Sequence, residues 1–139
     1  MARVPLKAGL LSSIEEADDP RLLAARCLEC RQHHFPATDD CPYCGGGRCE
    51  TVRLATRGTL WVHTAVEKAP PGYRGRVPYG FGVVELPEAI RVLSRLTEAR
   101  VDRLRHGMPM RLVLEELFQD DAGDTVVGWA FAPEDGARP

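Results

Sequence analysis

Four cysteines stand as two pairs, Cys27-Leu28-Glu29-Cys30 and Cys41-Pro42-Tyr43-Cys44, with ten residues between the pairs. A two-residue spacer lets both thiolates of one turn face the same ion, and two such turns supply the four soft ligands of a tetrahedral metal. The second turn runs into Gly45-Gly46-Gly47, which can bend tightly beneath the sulfurs without a Cβ in the way. Four cysteines leave no position open for water, so the expected metal is structural rather than catalytic, with zinc placed ahead of iron. Two other uses of the cysteines fit less well. Nothing in the chain suggests secretion, which argues against disulfides, and a redox dithiol needs only one such pair, normally at a helix N-terminus. His33 and His34 lie between the pairs and could replace a cysteine, but with four thiolates present they read as exposed loop residues. Cys49 is left over and reads as a small buried hydrophobe.

Further catalytic constellations are absent. There is no Gly-rich phosphate loop, GxSxG elbow or HExxH helix. Nucleophilic use of Cys49 needs a neighbouring base such as His63 or His106, and nothing places them together. Glu115 and Glu116 adjoin on an expected strand and so point to opposite faces. The chain reads as non-catalytic. Composition bounds the rest. The formal net charge is −2, with two lysines against sixteen arginines, which gives no general attraction for nucleic acid or anionic membrane. No apolar run approaches the roughly 20 residues of a membrane span, and Met1 to Gly9 lacks the apolar core of a secretory signal. A cytoplasmic location is expected.

The elements follow from periodicity. The first segment, 1–20, is expected to hold a short helix through Ile14 and Ala17, capped by Ser12 or Ser13. A metal ribbon is expected over 21–56, with strands Arg21 to Arg26 and Glu50 to Ala55 flanking the cysteines. From Arg57 the period becomes two, and a barrel is expected over 57–133. Its strands are Thr59 to Val66, Tyr79 to Leu86, Ile90 to Leu96, Met110 to Phe118 and Thr125 to Phe131. Leu60, Val62, Thr64 and Val66 should share one face of the first of these, with Trp61, His63 and Ala65 on the other. His63 then reads as a satisfied side chain at the barrel surface. Thr97 is expected to cap a short helix through Val101 and Leu104, and 134–139 is expected to be a loose tail. The fold class is therefore mainly β: a short N-terminal helix, a four-cysteine rubredoxin-like zinc ribbon and a five-stranded OB-fold barrel.

One connection is long. Between the first two barrel strands lie Lys68, Tyr73, Arg74 and Arg76, with Tyr79 at its end. Arginine grips phosphate in a bidentate way and tyrosine stacks on bases, so this loop is a candidate grip for a phosphate or an adenine. A proline-stiffened solvated loop is the alternative.

The order of short motifs has a family look. Cys-x-x-Cys, Phe35-Pro36, Cys-Pro-Tyr-Cys-Gly, then Arg57-Gly58-Thr59-Leu60, Val77-Pro78-Tyr79-Gly80, Val84-Glu85-Leu86, Ile90-Arg91-Val92-Leu93-Ser94 and His106-Gly107-Met108-Pro109 together resemble the zinc-ribbon/OB-fold family of acyl-CoA-associated proteins. That family is of the domain-of-unknown-function type. The resemblance covers about Arg21 to Ala132. It implies a non-catalytic accessory subunit of a thiolase, a steroid side-chain aldolase, a hydroxymethylglutaryl-CoA synthase or a hotdog-fold hydratase. It also implies that Cys27, Cys30, Cys41 and Cys44 hold zinc, that the partner forms a heterotetramer with the chain, and that the Lys68–Tyr79 loop lies near the acyl-CoA entrance. The family commonly has glycine after the first knuckle where this chain has Arg31, which should loosen that turn. Two rival readings remain. Ribbons and OB-folds also bind nucleic acid, and Cys-Pro-Tyr-Cys-Gly resembles a rubredoxin knuckle, which suits an iron electron carrier.

Overall fold

The computed structural model describes residues 2–134. Strands β1 (Arg3–Pro5), β2 (Leu23–Cys27), β3 (His33–His34), β4 (Cys49–Arg53), β5 (Arg57–Val66), β6 (Tyr79–Leu86), β7 (Ile90–Leu96), β8 (Pro109–Gln119) and β9 (Thr125–Pro133) form two sheets among these residues. The small antiparallel sheet runs β3-β2-β4 and carries the cysteines. The large one runs β1-β9-β7-β6-β5-β8 and closes through β8–β9 pairing, giving the five-stranded OB barrel. β6 and β7 coincide with the expected strands, and the other barrel strands extend the expected ranges by one or two residues at their ends. No helix of the described residues is long and apolar enough to cross a membrane.

Helix is confined to two single 3-10 turns, Glu16–Asp18 and Val101–Arg103. Neither expected cap is used in the expected way. Ser13 Oγ accepts from the Glu15 amide and donates to Asp18, bracing the first turn from outside, while Thr97 donates its amide to the Phe131 carbonyl and prolongs a strand contact. The first segment also holds β1, which pairs in parallel with β9 and was not anticipated. Its three residues carry too little periodic signal to be read as a strand, and the pairing is with residues 122 positions away. The expected loose tail lies, after Glu134, outside the described residues.

The core crosses the boundary between the two sheets. Leu22, Ala24 and Leu54, which flank the ribbon, are buried together with Leu60, Val84, Val92, Leu96, Met110 and Phe131 of the barrel. Phe35 adds an edge-to-face contact with Trp129, centroids 5.6 Å apart. Burying these apolar side chains is the dominant favourable term that seats the ribbon on the barrel.

β5 departs from the alternation expected for it. Its register against β6 shifts between Leu60 and Val62, so Trp61 is an extra residue in a bulge. Leu60 remains buried, but Val62 turns outward and is 47% exposed. The bulge is held locally. Leu60 bonds Met108 and Gly107 through its backbone, His106 Nδ1–H donates to the Trp61 carbonyl at 2.8 Å, and Arg91 covers the Trp61 ring at 3.7 Å. Val62, Val83 and Leu93 consequently stand in one row on the outer surface.

Candidate metal centre and loop surface

The ribbon sheet positions the cysteines. Cys27 ends β2, and Cys30 follows in a turn closed by Arg31 N–H to the Cys27 carbonyl at 2.9 Å. Cys41 and Cys44 form the second turn, closed by Gly45 N–H to the Cys41 carbonyl at 3.0 Å. Both turns need a left-handed residue after the second cysteine, and both have one: Gly45 at φ 77° and Arg31 at φ 67°. The arginine therefore does not loosen the first knuckle; the closing bond is made, at the cost of about 1 kcal/mol for a side chain in that region.

The four sulfurs lie within 4.8 Å of one another, with Cys27 to Cys44 and Cys30 to Cys41 each 3.6 Å apart. A tetrahedron of thiolates about 2.3 Å from an ion has edges near 3.8 Å, so this arrangement fits a four-sulfur metal centre. Amides of Glu29 and Cys30 point at Cys27 Sγ, Tyr43 N–H at Cys41 Sγ and Gly46 N–H at Cys44 Sγ, all at 3.4 Å. Such donors favour thiolate over thiol. The Cys30 amide first, against burial, brings Cys27 down to about 6. For Cys44 the Gly46 amide also pulls down, but hydrogen bonding to Cys27 and burial outweigh it and push the thiol up to about 12. Four sulfurs this close cannot all ionise unless a cation balances them, which is the chemistry a bound metal supplies.

The neighbouring candidates do not join the cluster. His34 is buried, not exposed, because β3 pairs with β2 opposite Ala25; its Nε2 meets Thr38 Oγ1 at 2.7 Å. Cys49 sits opposite Cys27 across the β2–β4 ladder and is half-buried, and burial followed by the Cys27 charge raises its pKa. No histidine hydrogen-bonds it among the described residues. His63 is half-buried with Nδ1 out of solvent and without a hydrogen-bond partner among the described residues, so it is not the satisfied surface residue expected. The bulge at Trp61, two residues earlier, is what turns it inward. Glu115 and Glu116 do diverge: the first meets Arg95, the second Arg3.

The loop between β5 and β6 brings some of its expected residues together. Pro70 to Tyr73 forms a tight turn with Gly72 at φ 82°. Tyr73 and Tyr79 rings approach to 5.0 Å. Arg74 instead reaches the β8–β9 hairpin, bonding Asp121 at 3.3 Å and lying 5.4 Å from the Phe118 ring centre. Lys68 and Arg76 form no ion pair among the described residues. Sequence reasoning missed Arg95 and Glu115, which join Tyr73 and Tyr79 from β7 and β8. Their places on separate strands carry no local signal of the loop, and only the barrel's closure brings them to it.

The two parts of the molecule match two described families. Residues 15–52 match "ChsH2, rubredoxin-like zinc ribbon domain", and residues 51–115 match "ChsH2, C-terminal OB-fold domain". A "DUF35 domain-containing scaffold protein" of Methanocaldococcus jannaschii is 26% identical over 114 residues, covering 81% of each chain. "Benzoylsuccinyl-CoA thiolase subunit BbsA" of Geobacter metallireducens is 30% identical over 112 residues, covering 81% of this chain and 74% of that one. The solved structure "Ltp2-ChsH2(DUF35) aldolase" superposes with a TM-score of 0.64 at 28% identity, covering 81% of this chain and 84% of its counterpart. With ribbon, barrel and relatives of comparable length all in agreement, the chain belongs to the ChsH2-type zinc-ribbon/OB-fold family of DUF35 proteins.

Proposed function

We propose that this chain is a non-catalytic accessory subunit of a thiolase-superfamily enzyme, either a thiolase or an aldolase, and supports its action on acyl-CoA. The observation that carries this reading is similarity along ribbon and barrel together to proteins whose names include a thiolase subunit and a chain of an aldolase complex. Cys27, Cys30, Cys41 and Cys44 hold zinc, which cross-links a ribbon too small to bury a core of its own. The ribbon over 21–56 and the barrel over 57–133 each present a rigid surface to the partner, in a cytoplasmic heterotetramer. Lys68, Tyr73, Arg74, Arg76 and Tyr79 lie near the acyl-CoA entrance. A subunit placed there raises turnover by ordering the partner's loops and covering the channel, without giving any chemical group.

Co-expression with neighbouring genes followed by affinity purification tests this. A thiolase-like chain in stoichiometric amount is the expected companion, and the double variant Arg74→Ala/Arg76→Ala should lower acyl-CoA turnover by that complex while leaving this chain folded. A lone chain that binds an oligonucleotide with steep salt dependence would overturn the reading.

A further inference from the structure

Residues 67–78 join β5 to β6, and their own backbone bonding is a single turn, Tyr73 N–H to the Pro70 carbonyl at 3.0 Å. The segment is held from outside. Arg95 on β7 donates through Nε to Glu115 Oε1 on β8 at 2.7 Å and through Nη1 to Tyr73 Oη at 3.0 Å. Its guanidinium lies 4.6 Å from the centre of the Tyr79 ring. Tyr73 Oη in turn donates to the Arg76 carbonyl at 2.8 Å, so one phenol ties the middle of the loop to its end and to the barrel. Gly75 makes room for this, since a Cβ there would collide with the Tyr73 ring.

A half-buried ion pair is a weak device for stability alone, because desolvation offsets most of its attraction. What arginine adds is direction: its planar fork holds a carboxylate and a phenol in fixed relative positions, whereas a lysine offers rotatable donors on a single nitrogen. Arg95, Glu115, Tyr79 and Arg76 also line one cavity of about 380 Å³. The groups that hold the loop and one of its unpaired cations thus border the same space.

We propose that Arg95 is a positioning residue that latches the 67–78 loop onto the barrel in the shape that receives CoA; this rests on the acyl-CoA reading of the loop given above. The test uses the complex of this chain with its thiolase-like subunit, in wild-type form and as Arg95→Met, Arg95→Lys and Tyr73→Phe. CoA itself is the probe, titrated calorimetrically, alongside hydrogen exchange of residues 67–78 and the affinity between subunits. Arg95→Met should speed exchange in the loop and weaken CoA binding about tenfold, the scale of re-ordering a few released side chains on binding. Subunit affinity should stay unchanged. Arg95→Lys should fall between the two. Tyr73→Phe leaves the Arg95–Glu115 pair in place, so it reports on the latch even if removing Arg95 disturbs the barrel; it should weaken CoA binding about threefold. Faster loop exchange with unaltered CoA affinity overturns the latch, as does unaltered exchange. A wild-type complex that takes up no CoA overturns the acyl-CoA reading, and this proposal with it.

Discussion

The two cysteine turns of the ribbon are built to one geometry from different residues. Each closes with an amide of the residue after its second cysteine, and each puts that residue in the left-handed region. In the second turn it is Gly45, which adopts that conformation freely. In the first it is Arg31, which does not. Their surroundings differ as well: Cys27 is completely buried at the end of a strand, whereas Cys44 is exposed. The lesson is one of magnitude. A strain of about 1 kcal/mol at a single residue is small beside the on the order of 10 kcal/mol that a structural zinc contributes to a small module. The ligand geometry therefore dictates the backbone, and local preference yields.

The largest effect should come from removing the shared ion. Cys27→Ser and Cys44→Ser should both lose the metal and leave the ribbon unfolded despite their different burial, a loss on the order of 10 kcal/mol. Metal content and circular dichroism would check this, and a soluble, normally stable Cys44→Ser protein would break the equivalence of the two turns. The contact that joins the ribbon to the barrel ranks next. Phe35→Ala removes the edge-to-face partner of Trp129 and should cost about 2 kcal/mol in denaturant unfolding. The conformational asymmetry between the turns gives the next scale. Gly45→Ala should destabilise by about 1 kcal/mol, and Arg31→Gly should stabilise by up to about that amount, less the extra freedom glycine gives the unfolded chain. If both changes were neutral, the turns would not carry the strain assigned to them. Acid should act through the ion the two turns share. Each thiol must shed a proton to bind the ion, so falling pH favours release, and a chromogenic chelator should capture metal faster at pH about 5 than at about 7. The smallest effect belongs to Arg74→Ala. Its partner Asp121 is almost fully exposed, so the isolated chain should lose less than about 0.5 kcal/mol in thermal unfolding.

How much could be read in advance depended on how local the information was. The metal cluster was legible because spacing within each pair already aims two sulfurs one way. The barrel strands were legible because alternation marks a half-buried strand wherever it pairs. Legibility failed where a distant group intervened. His106 and the Gly107–Met108 backbone hold the bulge at Trp61, which sends Val62 outward and His63 inward. His34 is buried by a two-residue pairing too short to leave a pattern. Arg95 and Glu115 lie 20 positions apart on different strands, and only the closed barrel sets them 2.7 Å apart beneath Tyr73.

Sequence alone determined the four-sulfur centre, the succession of barrel strands along the chain and the length of the loop that interrupts it. Those depend on residue types a few positions apart, which act through short-range geometry. The tertiary structure alone decided which charges organise that loop, how the ribbon shares its core with the barrel, and which side of β5 faces water. Each of these brings together residues far apart in the chain, and their pairing becomes favourable only after closure of the sheet has met the entropy of bringing them together.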